Sequence, residues 1–358
     1  MPYSVYDPCI WKEGDTYYAL LGGWIPEGPD KKRIRRLTLH RSKDLINWEY
    51  LHPFLEKDFY TNLGDDAACP YFWPIGDRYI LFLFSHMSGG SYLIGDYDKN
   101  RRKFVVGDGG DFNFGPVHPG GLHAPAAFPD GKGNVIAIFN MNEGIPQNIP
   151  GGWSGIMTLP RRLWLEKDDP YAPLRMEPAV DTRPLRYGHQ SVADMKLPAN
   201  KTVVLKDIKG NAFELQAEID CSKSQMLELN VLHSPNEEEV TRIVFYPQRG
   251  YTYRRYTDKR GLQYSSAISI DTSRSSTRKN AKSRLPETAP VYLAEGETLK
   301  LHVFVDKSVV EVFVNGKQCV SIRAYPERGD SLGISLRSQG NDACLKKLDF
   351  WQMKSIYE

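Results

Sequence analysis

Asp7 stands directly before Pro8, Asp65 and Asp66 lie five and four residues before Pro70, and His123 lies two residues before Pro125. His86 closes the run Phe84-Ser85-His86, and Glu143 sits in Asn140-Met141-Asn142-Glu143-Gly144. Carboxylates and imidazoles pass protons near neutral pH and accept hydrogen bonds from polar ligands. Brought to one place, they would bind such a ligand or do acid–base chemistry on it.

What would bring them together is a repeat. Asp7-Pro8-Cys9-Ile10-Trp11 runs into Glu13-Gly14-Asp15-Thr16-Tyr17-Tyr18. Cys69-Pro70-Tyr71-Phe72-Trp73 runs into Ile75-Gly76-Asp77-Arg78-Tyr79-Ile80, and Ala124-Pro125-Ala126-Ala127-Phe128 into Asp130-Gly131-Lys132-Gly133-Asn134-Val135. Each unit reads as a Pro, a first strand, a Gly turn and a second apolar strand, with the prolines 62 and 55 residues apart. Self-similarity at this period with only β signals inside it predicts β-propeller blades, whose innermost strands end at the axis.

The first blade is completed by a strand over Ile34–Arg41 and a turn from Ser42 to Trp48 into Glu49-Tyr50-Leu51. The second covers Phe59–Phe104, with strands near Tyr71, Ile80–Phe84, Tyr92–Asp96 and Lys103–Val105. The third covers Gly120–Leu165, with strands at Ala126, Asn134–Asn140, Gly155–Leu159 and Leu163–Leu165. A propeller hides its sheet edges by closing on itself, which takes about four to eight blades. Only three units are legible, and the chain opens on an inner strand, so the expectation is that one or more blades precede Met1. Closure by a partner chain is the alternative.

Residues 166–195 are rich in Pro, Arg and Asp without a clear period and read as an inter-domain linker. From 196 onward the strands lengthen and alternate. Leu299, Leu301, Val303 and Val305 share one face, Val310, Val312 and Val314 follow at period two, and Asn315-Gly316 is a favoured two-residue hairpin turn. Further strands are expected at Phe213–Ile219, Met226–Leu232, Val240–Tyr246, Ala267–Asp271 and Leu332–Leu336. This pattern predicts a β-sandwich over 196–358, behind a partial propeller over 1–165.

The 358 residues accommodate two domains, and 41% apolar with 25% charged residues is ordinary for a soluble globular protein. A net charge of +2 suggests no nucleic-acid or polyanion partner. The basic run Lys31-Lys32-Arg33 with Arg35-Arg36, broken by Ile34, reads as a solvated turn. Aromatics at 12% suit a sugar-binding surface and a strand-rich core equally. Five cysteines without metal spacing or close pairs imply neither a metal site nor a disulfide framework. No motif calls for a metal or organic cofactor. No apolar run approaches the roughly 18 residues of a membrane span. Met1-Pro2-Tyr3-Ser4-Val5 does not read as a signal peptide.

Several stretches together resemble glycoside hydrolase family 32, the invertase, inulinase and levanase group. Asp7-Pro8 is similar to the family's Arg-Asp-Pro motif, and Cys69-Pro70-Tyr71-Phe72 to its Glu-Cys-Pro-Asp-Phe motif. Ser42-Lys43-Asp44-Leu45-Ile46-Asn47-Trp48 is similar to its Ser-x-Asp-Leu-x-x-Trp blade turn. Gly152-Trp153-Ser154-Gly155-Ile156-Met157-Thr158-Leu159-Pro160-Arg161 resembles the stretch that closes its propeller, and Ser308-Val309-Val310-Glu311-Val312-Phe313 its Ser-x-Val-Glu-x-Phe strand. The resemblance covers nearly the whole chain. It implies an all-β fold, a five-bladed β-propeller (incomplete here) followed by a C-terminal β-sandwich. It also implies retaining hydrolysis of β-fructofuranosyl bonds in an oligo- or polysaccharide by two carboxylates.

By that resemblance Asp7 is the transition-state stabiliser. The Arg of the motif is replaced by Tyr6, and the Glu that serves as acid/base by Ala68. Asp66, two residues before Ala68, would face the same side of an extended strand, which makes it the candidate acid/base. Asp65 would face away and read as solvated. Tyr6, Asp65, His86, His123 and Glu143 are the expected substrate contacts. The family's nucleophile motif, of the type Trp-Met-Asn-Asp-Pro-Asn-Gly, is absent from this chain. Each residue also has a plainer reading: Asp7 as a turn starter, Glu143 as surface, His123 as structural, and Trp11, Trp73 and Trp153 as blade core. Two functions follow: a fructose-releasing glycosidase, or a non-catalytic carbohydrate-binding homologue, the latter favoured by the absent nucleophile motif, Tyr6 and Ala68. An arabinofuranosidase-like propeller is a third reading, which the sandwich motif weighs against.

Overall fold

The computed structural model describes residues 4–57, 64–117, 121–142, 155–166, 173–252, 263–281 and 284–357. Strands are the main regular element, with two short 3-10 turns among the described residues. The chain divides into a first unit, Met1–Asn113 with Gly121–Ala179, and a second, Phe114–Gly120 with Val180–Glu358.

The first unit contains three antiparallel sheets built as meanders. Blade 1 orders β1 (Ser4–Glu13), β2 (Thr16–Ile25), β4 (Thr38–Ser42) and β5 (Glu49–Pro53), with the short β3 (Ile34–Arg35) pairing β2. Blade 2 orders β6 (Ala68–Ile75), β7 (Arg78–Ser85), β8 (Gly89–Asp98) and β9 (Lys103–Asp111). Blade 3 orders β10 (Gly121–Pro129), β11 (Val135–Asn142), β12 (Arg161–Trp164) and β13 (Arg175–Pro178). The repeated glycines stand at the β1–β2, β6–β7 and β10–β11 turns with positive φ, 60° at Gly14, 55° at Gly76 and 76° at Gly131. A side chain is strained there.

The prolines of the repeat explain a second regularity. Pro has no N–H to give to a ladder, so inside a sheet it goes with a bulge. The ladder slips between Tyr6 and Pro8, between Ala68 and Tyr71, and between His123 and Ala126. At each slip the residue before the proline has positive φ: Asp7 at 23°, Cys69 at 48° and Ala124 at 41°. The inner strands also touch their neighbours. Trp11 lies 5.7 Å from Phe72, ring centre to ring centre, in a core with Leu20, Leu39, Phe54 and Phe104. The Trp73 indole donates to the Ala127 carbonyl at 2.7 Å. A Cβ on Gly22 would run into the Ala67 carbonyl, so only glycine lets β2 pass the start of β6.

Three sequence expectations change here. The strand expected over Ile34–Arg41 is two strands, β3 and β4. In blade 3, Gly155–Leu159 is not a strand; Met157 makes only an isolated bridge to Asn140. The third strand is β12, where Arg161 is fully buried with its guanidinium 5.1 Å from the Phe139 ring centre. The stretch 166–195 is not a linker throughout: β13 completes blade 3, and β14 (Arg186–Leu197) opens the second unit.

That unit is a sandwich of two six-stranded antiparallel sheets. One orders β14, β25 (Ala343–Met353), β16 (Ala212–Asp220), β21 (Leu299–Asp306), β22 (Val309–Val314) and β23 (Gln318–Arg323). The other orders β15 (Thr202–Lys209), β24 (Gly333–Gln339), β17 (Met226–His233), β18 (Thr241–Thr252), β19 (Gln263–Asp271) and β20 (Glu287–Val291). Leu215, Val303 and Val312 from the first meet Leu229, Ile243 and Leu336 from the second in one buried core. Asn315 and Gly316 have φ of 50° and 62°, but Val314 pairs with Gln318, so the loop holds three residues rather than the expected two.

A buried carboxylate ties the expected linker into this sheet. Glu214 is fully buried and accepts from Thr182 Oγ1 at 2.7 Å, Arg186 Nε at 2.8 Å and His302 Nε2 at 2.6 Å. Burial alone would push its carboxyl up, but these donors outweigh it and hold it at about 2, against an ordinary 4.5. Stability from a depressed carboxyl is fully present above its unfolded value and is lost as pH falls through the folded one. Glu214→Gln is expected to cost on the order of 3 kcal/mol at pH 7 by leaving the Arg186 guanidinium without its counter-charge. It should also flatten the loss of stability between pH 4.5 and 2. Urea unfolding of parent and variant across that range measures both; identical pH dependence would contradict the arrangement.

Candidate active site

In every blade the start of the inner strand lies beside the end of the second strand: Ser4 pairs Trp24, Ala68 pairs Phe84, and Gly121 pairs Asn142. The loops after β2 and β7 therefore share one end of their blades with the proline bulges. At this end the structure gathers most of the residues singled out by sequence.

Asp7 is exposed at the first bulge. Its Oδ2 accepts the Cys69 backbone N–H at 3.2 Å and faces the Cys69 thiol at 3.6 Å. The residue before one proline thus binds the residue before the next. Tyr6 takes no part in that link; its hydroxyl accepts the Trp24 indole N–H at 2.9 Å, and the Arg33 guanidinium lies 3.9 Å from the Trp24 ring centre.

Asp65 and Asp66 precede β6, so strand alternation does not reach them and cannot place Asp66 on the face of Ala68. Their environments differ in the opposite sense to the one expected. Asp65 is buried, accepting the Ser85 hydroxyl at 2.7 Å and the Ser88 hydroxyl at 3.1 Å. Asp66 accepts the His86 backbone N–H at 3.0 Å on Oδ1 and meets His86 Nδ1 at 2.7 Å on Oδ2. Ala68 is buried opposite Phe84 and brings a methyl group, not a carboxyl, to the position that the resemblance gives to the acid/base.

The Phe84 ring lies 4.9 Å from both the His86 and the His123 ring centres. His123 is buried, its Nδ1 2.7 Å from the Asn142 amide. Glu143 and Trp153 lie outside the described residues. Trp11 and Trp73 sit between blades, as blade core. The basic run is not wholly a solvated turn. Lys31, Lys32 and Arg33 are exposed, but the Arg33 carbonyl accepts the Gly64 N–H at 3.1 Å. Arg35 is half-buried, and its guanidinium is lowered by burial and raised by the charge of Asp65.

Cys69, Ser85, Ser88 and Asn142 were not singled out by sequence reasoning. Cys69 had a signal, because it precedes Pro70 as Asp7 precedes Pro8. The two serines had none; their partnership with Asp65 depends on a turn that joins β7 to β8. The assembled groups can accept hydrogen bonds from hydroxyls at Asp7 and exchange a proton at the Asp66–His86 pair.

A family model described as the N-terminal domain of glycosyl hydrolases family 32 matches residues 2–178, and one described as the C terminal of the same family matches 182–352. The chain is 24% identical to a sucrose-6-phosphate hydrolase of Escherichia coli, over 97% of this chain and 66% of that protein. It is 27% identical to a sucrose-6-phosphate hydrolase of Staphylococcus xylosus, over 95% and 64%. With the insoluble β-fructofuranosidase isoenzyme CWINV1 of Arabidopsis thaliana the identity is 25%, over 93% and 66%. The chain spans just under two thirds of the length of these relatives. In fold it is similar to fructan 1-exohydrolase IIa from Cichorium intybus, with a TM-score of 0.79 and 18% identity over 98% of this chain and 72% of that one. It is also similar to exo-inulinase from Aspergillus awamori, with a TM-score of 0.75 and 17% identity over 98% and 67%.

The Asp7–Cys69 link has a chemical readout. Burial, then the charge and hydrogen bond of Asp7, then the charge of Asp66, push the Cys69 thiol up to about 12. The thiolate is the reactive form. Iodoacetamide at pH 8 should therefore modify Cys69 slowly in the folded protein, and Asp7→Asn should speed that modification several-fold. Peptide mass mapping against time measures this. An unchanged rate would show that the Asp7 carboxylate does not act on the sulfur.

Proposed function

The chain belongs to glycoside hydrolase family 32, and from that premise we propose that the protein carrying it is a glycosidase of β-fructofuranosidase type. It cleaves fructose from saccharides such as sucrose, inulin or levan by a retaining mechanism. The relatives named sucrose-6-phosphate hydrolase add a phosphorylated sucrose to this class, and the exposed Lys31, Lys32 and Arg33 at the same end of blade 1 suit an anionic substrate.

One observation carries the reading: the carboxylate of Asp7 is exposed at the first bulge and, among the described residues, tethered through Oδ2. Its other oxygen meets no protein donor among the described residues. A fixed carboxylate with a vacant acceptor is suited to ring hydroxyls. Hydrogen bonds from those hydroxyls strengthen as positive charge grows on the ring, and so lower the barrier rather than merely tightening binding. A second reading, sugar binding without turnover, is favoured by the buried Ala68 in the place of the acid/base.

The test is fructose release from sucrose, sucrose 6-phosphate, inulin and levan by the full-length protein. Turnover of at least one substrate is expected, with Asp7→Asn lowering kcat by about 100-fold or more while KM changes little. Saturable binding with no release would establish the second reading. Neither binding nor release would contradict both.

A further inference from the structure

The loop after β7 is held more firmly than a surface turn needs. Its two neighbouring aspartates clamp it from outside the strand: Asp65 takes the hydroxyls of Ser85 and Ser88, and Asp66 takes the backbone N–H and Nδ1 of His86. Ser85 Oγ in turn accepts the Met87 N–H at 3.0 Å. Phe84 supports the imidazole from one side. Yet the His86 side chain is 64% exposed. With Nδ1 engaged, Nε2 is the ring nitrogen presented outward. A carboxylate on Nδ1 places the proton there and fixes the tautomer, so that Nε2 exchanges protons with whatever lies before it.

This clamp stands at a site that lacks its expected acid. Ala68 offers no carboxyl, and both oxygens of Asp66 are occupied by His86. We propose that His86 is the acid/base of this site and that Asp66 is its positioning residue. The proposal rests on the hydrolase reading above. The acid form is the imidazolium, with one proton held on Nδ1 by Asp66 and a second on Nε2. As the bond from the anomeric carbon to the leaving oxygen breaks, its electron pair goes to that oxygen, which takes the Nε2 proton and leaves the Nδ1–H imidazole as the base. The anomeric carbon bonds meanwhile to a carboxylate nucleophile, as retention requires; water then displaces that carboxylate from the carbon and returns a proton to Nε2. The products are fructose and the alcohol of the leaving sugar, and His86 ends as it began. The residues of the Asp65 clamp preorganise the imidazole without touching the substrate.

The test compares two substrates in the full-length protein: sucrose, whose leaving group needs a proton, and fructosyl fluoride, whose leaving group needs far less help. His86→Ala should lower kcat on sucrose by about 100-fold or more and on fructosyl fluoride by less than tenfold. Imidazole added to the buffer should restore part of the sucrose activity. Asp66→Asn should show the same leaving-group dependence with a smaller loss. Where His86→Ala fails to fold, His86→Gln carries the same comparison, with the thermal midpoint as the check on folding. Equal losses on both substrates, or parental rates on both, would overturn the assignment while leaving the hydrolase reading intact. A parent protein that turns over neither substrate would remove the hydrolase reading, and the role of His86 with it.

Discussion

A peptide unit without an N–H cannot donate to a β-ladder, and three such units stand near the heads of three inner strands. Each forces a bulge, and each bulge puts the preceding residue into the left-handed region. Non-glycine residues rarely sit there; the cost, about 1–3 kcal/mol each, is met by the surrounding sheet. The geometric result is that the residue before the proline leaves the ladder. Asp7 thereby comes within hydrogen-bond distance of the backbone of Cys69, the residue in the equivalent position one blade on. The candidate site is a consequence of the same repeat that builds the blades.

The chemistry of the site depends on how its carboxylates are occupied. Asp65 is buried, holds the Ser85 and Ser88 hydroxyls on Oδ1, and serves the loop. Asp66 is committed to His86. Among the described residues, Asp7 keeps one oxygen without a protein donor, open to a ligand. Three aspartates close in the repeat thus hold three different positions: brace, partner and ligand acceptor. Burial first, then the charges of Asp7 and Asp66, keep the Cys69 thiol protonated, so that Cys69 meets the Asp7 carboxylate as a neutral donor.

Much of this was legible in the chain. The Pro and Gly spacing marks the inner strands and their turns, and the alternation of Leu299–Val305 and Val310–Val314 marks the sandwich. What escaped has physical reasons. β14 is an edge strand with most of its residues exposed, so it lacks the apolar alternation that identifies a strand. β12 hides its period behind Arg161, a cation buried against Phe139 where an apolar residue would have signalled the core. Strand alternation does not reach Asp66 because β6 begins two residues later, at Ala68. The reversal of Asp65 and Asp66 depends on Ser85, His86 and Ser88, some 20 residues along the chain, and local sequence carries no trace of such partners.

The most direct measurement of the central claim is a crystal structure of the protein with fructose bound. The account predicts a furanose ring seated at the proline bulges, with its hydroxyls donating to the Asp7 carboxylate at about 2.7 Å. A sugar bound elsewhere, with Asp7 still tethered to Cys69 and untouched by ligand, would contradict it.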